Sequence, residues 1–132
     1  YNTVQSYLDV EIGGKGIIAD WIYICDFDHV FADIDRPITE QGIVKSPVRI
    51  GPDVWIGTKV SVLRGTTVGH GCVLAANSVV RGNVPPMSVM GGVPARLLKD
   101  RVGEYRAAEQ QRIDVADIAR KTAKAAKEHA GR

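Results

Sequence analysis

Aliphatic residues recur at every sixth position through most of the chain. A second series, of small or β-branched residues, follows four positions behind the first and has the same period. This spacing matches neither the 3.6-residue period of a helix nor the alternation of a half-buried strand. The aliphatic series consists of Ile12, Ile18, Ile24, Val30, Val44, Ile50, Ile56, Val62, Val68, Leu74 and Val80, and the second series of Val48, Val54, Val60, Thr66, Cys72, Ser78 and Val84.

A six-residue period is typical of a short strand followed by a corner. The aliphatic residue points inward, a small residue packs near the turn, and Gly, Asn or Asp supplies the unusual φ of the bend. Three such hexads make one coil of about 18 residues, and successive coils stack about 4.8 Å apart. The pattern therefore predicts a parallel β-helix, in which Ile50 lies beside Val68 and Ile56 beside Leu74.

The period breaks once, between His29 and Val44. The residues in between are rich in charge and include Pro37 and Gly42. The interruption predicts an extruded loop over about residues 30–43, which leaves the coil near Val30 and returns near Val44. Loops on regular scaffolds commonly carry function.

The period ends at Val84, and Pro85 and Pro86 predict the end of the coils. Residues 87–98 are rich in turn formers and predict a closing segment. From Gly103 onward the chain is rich in Ala, Lys, Arg and Glu and lacks Pro, which favours a helix. The predicted organisation is a solenoid domain over residues 1–102 and a C-terminal helix or tail over 103–132.

Composition narrows the functional classes. The 132 residues carry 17 Lys and Arg against 15 Asp and Glu, so the net charge of +2 argues against a protein that coats nucleic acid. No apolar run reaches the roughly 18 residues of a membrane span, which predicts no transmembrane helix. Cys25 and Cys72 form no disulfide framework or zinc motif. No signal-peptide pattern occurs near Tyr1, so the expected compartment is the cytoplasm.

Four motifs give the chain a resemblance to a known family. They are DHxFxD at residues 28–33, RPIxxQG at 36–42, DVWIG at 53–57 and GGVPAR at 91–96. Together with the hexads, they resemble the hexapeptide-repeat acyltransferases, in the subgroup of galactoside and maltose O-acetyltransferases. The resemblance extends over roughly residues 8–100.

The resemblance implies an all-β fold, namely a left-handed parallel β-helix with an extruded loop and a C-terminal α-helix. It also implies a homotrimer that binds acetyl-coenzyme A or another acyl-coenzyme A as co-substrate in clefts between subunits, with no permanent cofactor and no metal. Association is also expected physically, because a narrow solenoid of this size buries little core by itself.

His29 is the candidate catalytic residue. Acyl transfer to an alcohol needs a base of near-neutral pKa to accept the hydroxyl proton. In the family that this chain resembles, the general base is a histidine at the matching place before the loop. The hexad period predicts that His29 stands at a coil corner. Asp33, Asp35, Glu40 or a backbone carbonyl could orient the imidazole, and the sequence does not choose among them.

The remaining candidate residues fall into two groups. Trp55, Asp28 and Asp33 are the candidate substrate-binding residues, with Trp55 predicted at a different corner from His29 and therefore contributed by the neighbouring subunit. The family's coenzyme contacts match Thr58, Ala76, Arg81, Gly82, Arg96 and Lys99. Arg96 and Lys99 are expected to face the adenosine 3′-phosphate, which a cationic fork suits.

The predicted function is acyl-coenzyme A-dependent O-acyl transfer, most simply acetyl transfer, to a hydroxyl of a sugar, polysaccharide or glycolipid. N-acyl transfer to an amino sugar and O-acetylation of a xenobiotic are alternatives within the same chemistry. A trimeric scaffold without activity is a non-enzymatic alternative. A zinc carbonic anhydrase on the same solenoid would need three convergent histidines, and His29, His70 and His129 are not spaced to converge.

Overall fold

The computed structural model describes residues 1–131 and divides into two units, a solenoid over Tyr1–Asp100 and a helical unit that begins at Arg101. The solenoid strands, in chain order, are β1 (Thr3–Gln5), β2 (Val10–Ile12), β3 (Ile17–Ile18), β4 (Tyr23–Cys25), β5 (Phe27–His29), β6 (Ile43–Lys45), β7 (Val48–Ile50), β8 (Trp55–Ile56), β9 (Ser61–Val62), β10 (Thr67–Val68), β11 (Val73–Leu74), β12 (Val79–Val80), β13 (Asn83–Val84), β14 (Ser88–Gly92) and β15 (Ala95–Asp100).

Three parallel sheets form the sides of the solenoid. Side 1 contains β1, β4, β9 and β12, side 2 contains β2, β7, β10 and β13, and side 3 contains β3, β8, β11 and β14. Apart from β5 and β6, which form a separate sheet, consecutive strands from β1 to β14 lie on successive sides, so each circuit of the three sides is one coil. The predicted parallel β-helix is confirmed.

The inner columns follow the six-residue period. Ile50 pairs with Val68 on side 2, and Ile56 pairs with Leu74 on side 3, as predicted. The residues four positions behind are also buried; Val48, Val54, Val60, Thr66, Cys72, Ser78 and Val84 are each at most 3% exposed. Most of them lie at or beside a corner, whereas Val84 continues the inner column of side 2 by pairing with Val68. The core is thus a stack of aliphatic and small residues, most of which belong to the two coupled series.

The extruded segment is longer than the sequence predicted. The chain leaves the coil at Asp26 and rejoins it at Ser46, whose backbone N–H donates to the Asp26 carbonyl at 2.9 Å. Strands β5 and β6 pair in antiparallel fashion and form a stem below the loop, with Asp28 opposite Val44. The prediction that Val30 and Val44 belong to the coils is wrong. Both residues match the six-residue period, but Val44 lies in β6 of the stem and Val30 is the first residue after β5.

The prediction that Pro85 and Pro86 end the coils is also wrong. The two prolines form a corner, where no ladder N–H is required, and β14 then completes a further coil by pairing with β11. The chain reverses at Val93–Pro94, and β15 runs back antiparallel along β14. The closing segment is therefore a hairpin on the edge of side 3.

The second unit is a single helix, α1, over Arg101–Ala130. Ion pairs one turn apart lie along it, including Lys121 with Asp117 at 2.9 Å, a spacing that stabilises helices in water. Among the described residues, no helix combines the length and apolar character that crossing a membrane requires.

Candidate active site

His29 lies on the loop stem, at the end of β5, rather than at a coil corner as predicted. Its side chain is exposed, and its ring meets the edge of the Phe27 ring, with centroids 6.1 Å apart and an interplanar angle of 84°. Within residues 1–131, no hydrogen bond from another residue reaches the imidazole, so both ring nitrogens are open to a ligand.

The loop above the stem is organised by the side chain of Gln41. Its amide nitrogen donates to the carbonyls of Asp33 and Arg36, and its amide oxygen accepts from the Asp33 N–H at 3.0 Å. The Asp33 carboxylate in turn accepts from the N–H of Asp35. Asp33 therefore holds the turn of its own loop, and none of the acidic groups expected to orient His29 bonds to its ring.

Asp26, which sequence reasoning missed, anchors the base of the stem. Its carboxylate is fully buried and accepts hydrogen bonds of 2.7–2.8 Å from the Ser6 hydroxyl and from the N–H groups of Tyr7, Leu8 and Asp9. Burial alone would raise the pKa of this carboxyl, but the hydrogen bonds stabilise its charged form and lower the pKa to about 2. The carboxylate thus ties the turn after β1 to the point where the loop leaves the coil.

A polar pocket of about 320 Å³ lies at the corner between sides 1 and 2, where the stem emerges. We call it the loop-corner pocket. It brings together Asp28, Arg81 and Gly82, which the sequence had assigned to two different ligands. It also contains Arg64, whose Nε donates to the Asp28 carboxylate at 2.8 Å. Arg64 was not a candidate from sequence, because the hexad marks its position only as part of a corner.

An apolar groove of about 540 Å³ lies along side 3 and the corner between sides 3 and 1. Trp55, Thr58 and Ala76 line it. Thr58 and Ala76 stand in one column on adjacent coils, since the Thr58 carbonyl accepts from Asn77, directly after Ala76. Trp55 is not at a corner, as the sequence predicted, but within β8, paired with Ile17 and Val73 and half exposed.

Arg96 and Lys99 lie on β15, opposite Gly91 and Val89 of β14. The coenzyme candidates therefore occupy three places in one chain. Arg81 and Gly82 share the loop-corner pocket with Asp28, Thr58 and Ala76 share the groove with Trp55, and the two cations of β15 lie on the closing hairpin. The sequence analysis did not predict this division of the coenzyme candidates, because predicting it requires knowing which corner follows each strand.

The two concave surfaces differ in chemistry. The groove is a channel with almost wholly apolar walls, suited to a flexible chain such as an acyl or alkyl arm, while the loop-corner pocket offers guanidinium groups close to the stem that bears an imidazole. Within the described residues, no group of three or more His, Cys, Asp or Glu side chains converges to hold a metal ion.

Comparison with known proteins identifies the repeat. Residues 47–82 match the family described as bacterial transferase hexapeptide (six repeats). A protein of Mycobacterium tuberculosis named "probable acetyltransferase" is 56% identical over 126 residues, which cover 92% of this chain and 42% of that protein. The galactoside O-acetyltransferase of Escherichia coli is 31% identical over 99 residues, covering 74% of this chain and 47% of the enzyme.

A solved structure of galactoside acetyltransferase in complex with coenzyme A superposes with a TM-score of 0.69 at 30% identity, covering 76% of this chain and 49% of that one. The repeat and this similarity make the solenoid a left-handed parallel β-helix, as the resemblance implied. The chain spans about half the length of the relatives it matches.

Proposed function

Because the chain belongs to the hexapeptide-repeat transferase family, we propose that it is an acyl-coenzyme A-dependent O-acyltransferase. The donor is acetyl-coenzyme A, and the acceptor is a hydroxyl of a sugar, polysaccharide or glycolipid. The observation that carries the proposal is the His29 imidazole, which is exposed, has no hydrogen-bond partner within residues 1–131, and lies on the stem face opposite Asp28. Use of acyl-coenzyme A favours the cytoplasm as the compartment.

His29 acts as the general base in direct transfer. A ring nitrogen accepts the proton of the acceptor hydroxyl while the oxygen attacks the thioester carbonyl carbon. The new C–O bond forms, the tetrahedral intermediate collapses, and the C–S bond breaks. The imidazolium then returns the proton to the thiolate, so the products are the ester and free coenzyme A.

The two concave surfaces support assembly of the site between subunits of a homotrimer. The loop-corner pocket and the groove lie on different corners of one chain, so one chain alone presents two half-sites. In a ring, the loop corner of one subunit would face the groove of its neighbour, and the open half-sites would close each other. The pantetheine arm would lie along Thr58 and Ala76, beside Trp55 and across from His29.

Activity should be measured as thiol release from acetyl-, succinyl- and longer acyl-coenzymes A against a panel of sugars and amino sugars. His29→Ala should lower turnover about 10²–10⁴-fold, the usual contribution of a general base, with folding and coenzyme binding intact. His70→Ala, at a corner between sides 2 and 3, is the matched control. If His29→Ala keeps more than about a tenth of the rate on the best acceptor, the base lies elsewhere. Preference for amino sugars would favour the N-acyltransferase alternative.

A further inference from the structure

The stem that carries His29 has little support of its own. Strands β5 and β6 form a two-stranded sheet with three paired positions, separate from the three sides of the solenoid. Isolated two-stranded ribbons are at best marginally stable in water. The direction in which His29 points must therefore depend on contacts that tie the stem to the coils.

The two faces of β5 make different contacts. Side chains alternate along a strand, so Phe27 and His29 lie on one face and Asp28 on the other. On the first face, the Phe27 ring makes T-shaped contacts with the rings of Tyr7 and His29, with centroid distances of 4.6 Å and 6.1 Å. Tyr7 belongs to the turn that Asp26 anchors, so this face is supported by the first coil.

The opposite face is tied to a different coil. Asp28 accepts from Arg64 Nε at 2.8 Å, and Arg64 follows β9 in the corner one coil further along. Asp28 directly precedes His29, and in antiparallel pairing its partner is Val44 in the middle of the stem. We propose that Arg64 is a positioning residue, whose ion pair with Asp28 fixes the tilt of the stem and thereby the position of the His29 imidazole. This role rests on the proposed function of His29.

The ion pair is suited to positioning rather than to global stability. Arg64 is 33% exposed and Asp28 51% exposed, and exposed pairs contribute little to the free energy of unfolding. The geometry matters more, because the contact restrains a ribbon that has few other restraints. Loss of the pair should therefore leave the solenoid folded while allowing the stem to move.

The test uses Arg64→Ala and Arg64→Lys in the whole chain, with Arg49→Ala as matched control. Arg49 is similarly exposed and forms ion pairs with Glu11 and with Asp9, at the end of the turn that Asp26 anchors. Arg49→Ala therefore breaks exposed ion pairs of the first coil and leaves the contact between Asp28 and Arg64 in place. We expect Arg64→Ala to lower kcat about tenfold or more, with the denaturation midpoint and the KM for acyl-coenzyme A unchanged. Arg64→Lys, which keeps the charge, should recover much of the loss, and Arg49→Ala should behave as wild type.

A second measurement does not depend on enzymatic activity. In isotopically labelled protein, wild type should show a nuclear Overhauser effect between the rings of Tyr7, on the first coil, and Phe27, on the stem. The effect should weaken in Arg64→Ala and persist in Arg64→Lys and Arg49→Ala. An unchanged ring-to-ring effect in Arg64→Ala would overturn the positioning role. If the effect is lost and His29→Ala is still active, the proposed role of His29 as general base fails, while the dependence of the stem position on Arg64 stands.

Discussion

Gly57 lies at the wall of the apolar groove, where two adjacent coils approach each other closely. Its N–H donates to the Leu74 carbonyl at 2.8 Å, and a Cβ at this position would lie 2.7 Å from the Ala76 nitrogen and 2.9 Å from the Leu74 oxygen. Ordinary contacts begin near 3.4 Å, so Gly57→Ala must push the coils apart by about 0.7 Å. Both atoms that it meets are backbone, which cannot rotate away.

We expect Gly57→Ala to lower the free energy of unfolding by about 1–3 kcal/mol, the usual cost of overpacking, and to raise the KM for acyl-coenzyme A by displacing Ala76. Gly51→Ala is the matched control: its Cβ would lie 2.8 Å from the His70 nitrogen, between the same coils but outside the groove. Gly14→Ala, with open space around its Cβ, should be nearly neutral.

Urea denaturation at a fixed protein concentration gives the stabilities, and thiol release gives the KM values. The two clashing variants should lose similar stability, but only Gly57→Ala should alter coenzyme use. Unfolding of Gly57→Ala within about 0.5 kcal/mol of wild type would show that the coils separate without cost. An equal rise in KM for Gly51→Ala would show that the effect comes from general loosening and not from the groove.

Three further predictions concern the anchor, the coenzyme and the assembly. Asp26→Asn should lower the urea midpoint at neutral pH and flatten the pH dependence of that midpoint. The Asp26 carboxyl has a pKa of about 2 in the folded state, so it stabilises the fold above its ordinary pKa of 3.8 and loses that contribution as the pH falls toward 2. An unchanged pH profile in the variant would contradict this. Replacing Arg96 and Lys99 by Ala should weaken coenzyme A binding by about 1–3 kcal/mol, with a smaller effect on dephospho-coenzyme A, and calorimetry showing equal losses would move these residues away from the 3′-phosphate. Sedimentation should give a trimer, and a stable species at the 14.3 kDa monomer mass would refute the shared site.

The fold was predictable because the same six-residue pattern recurs in many consecutive hexads. A single position such as Ile56 does not identify the fold, but the two coupled series together predict the inner columns and the corners. The same reasoning failed at Val30 and Val44, because the first loop residue and a residue of β6 happened to match the period. Antiparallel pairing of β5 with β6 is a long-range choice, and no local pattern at these positions distinguishes it from another turn of coil.

The candidate site was predictable in residue identity more than in arrangement. The motifs singled out His29 and Asp28, but the division of the coenzyme candidates among the loop-corner pocket, the groove and the closing hairpin depends on the order of sides around the solenoid. Asp26 was missed because its role depends on donors in the turn at Ser6 to Asp9, far away along the chain. Arg64 was missed for the same reason, since its partner lies 36 residues earlier.

The hydrogen bond from the Ser46 N–H to the Asp26 carbonyl brings the two ends of the extruded segment together, so the coil continues directly from one end to the other. A chain that rejoins its coil at the point of departure can change the departing segment in length or composition without shifting the register of the core, and loop closure costs rise only slowly with length. Variation can then accumulate in the segment that carries the candidate base, while the coils that line the proposed donor groove stay fixed. If the proposed function holds, transplanting residues 27–45 between relatives should change acceptor preference on an unchanged scaffold.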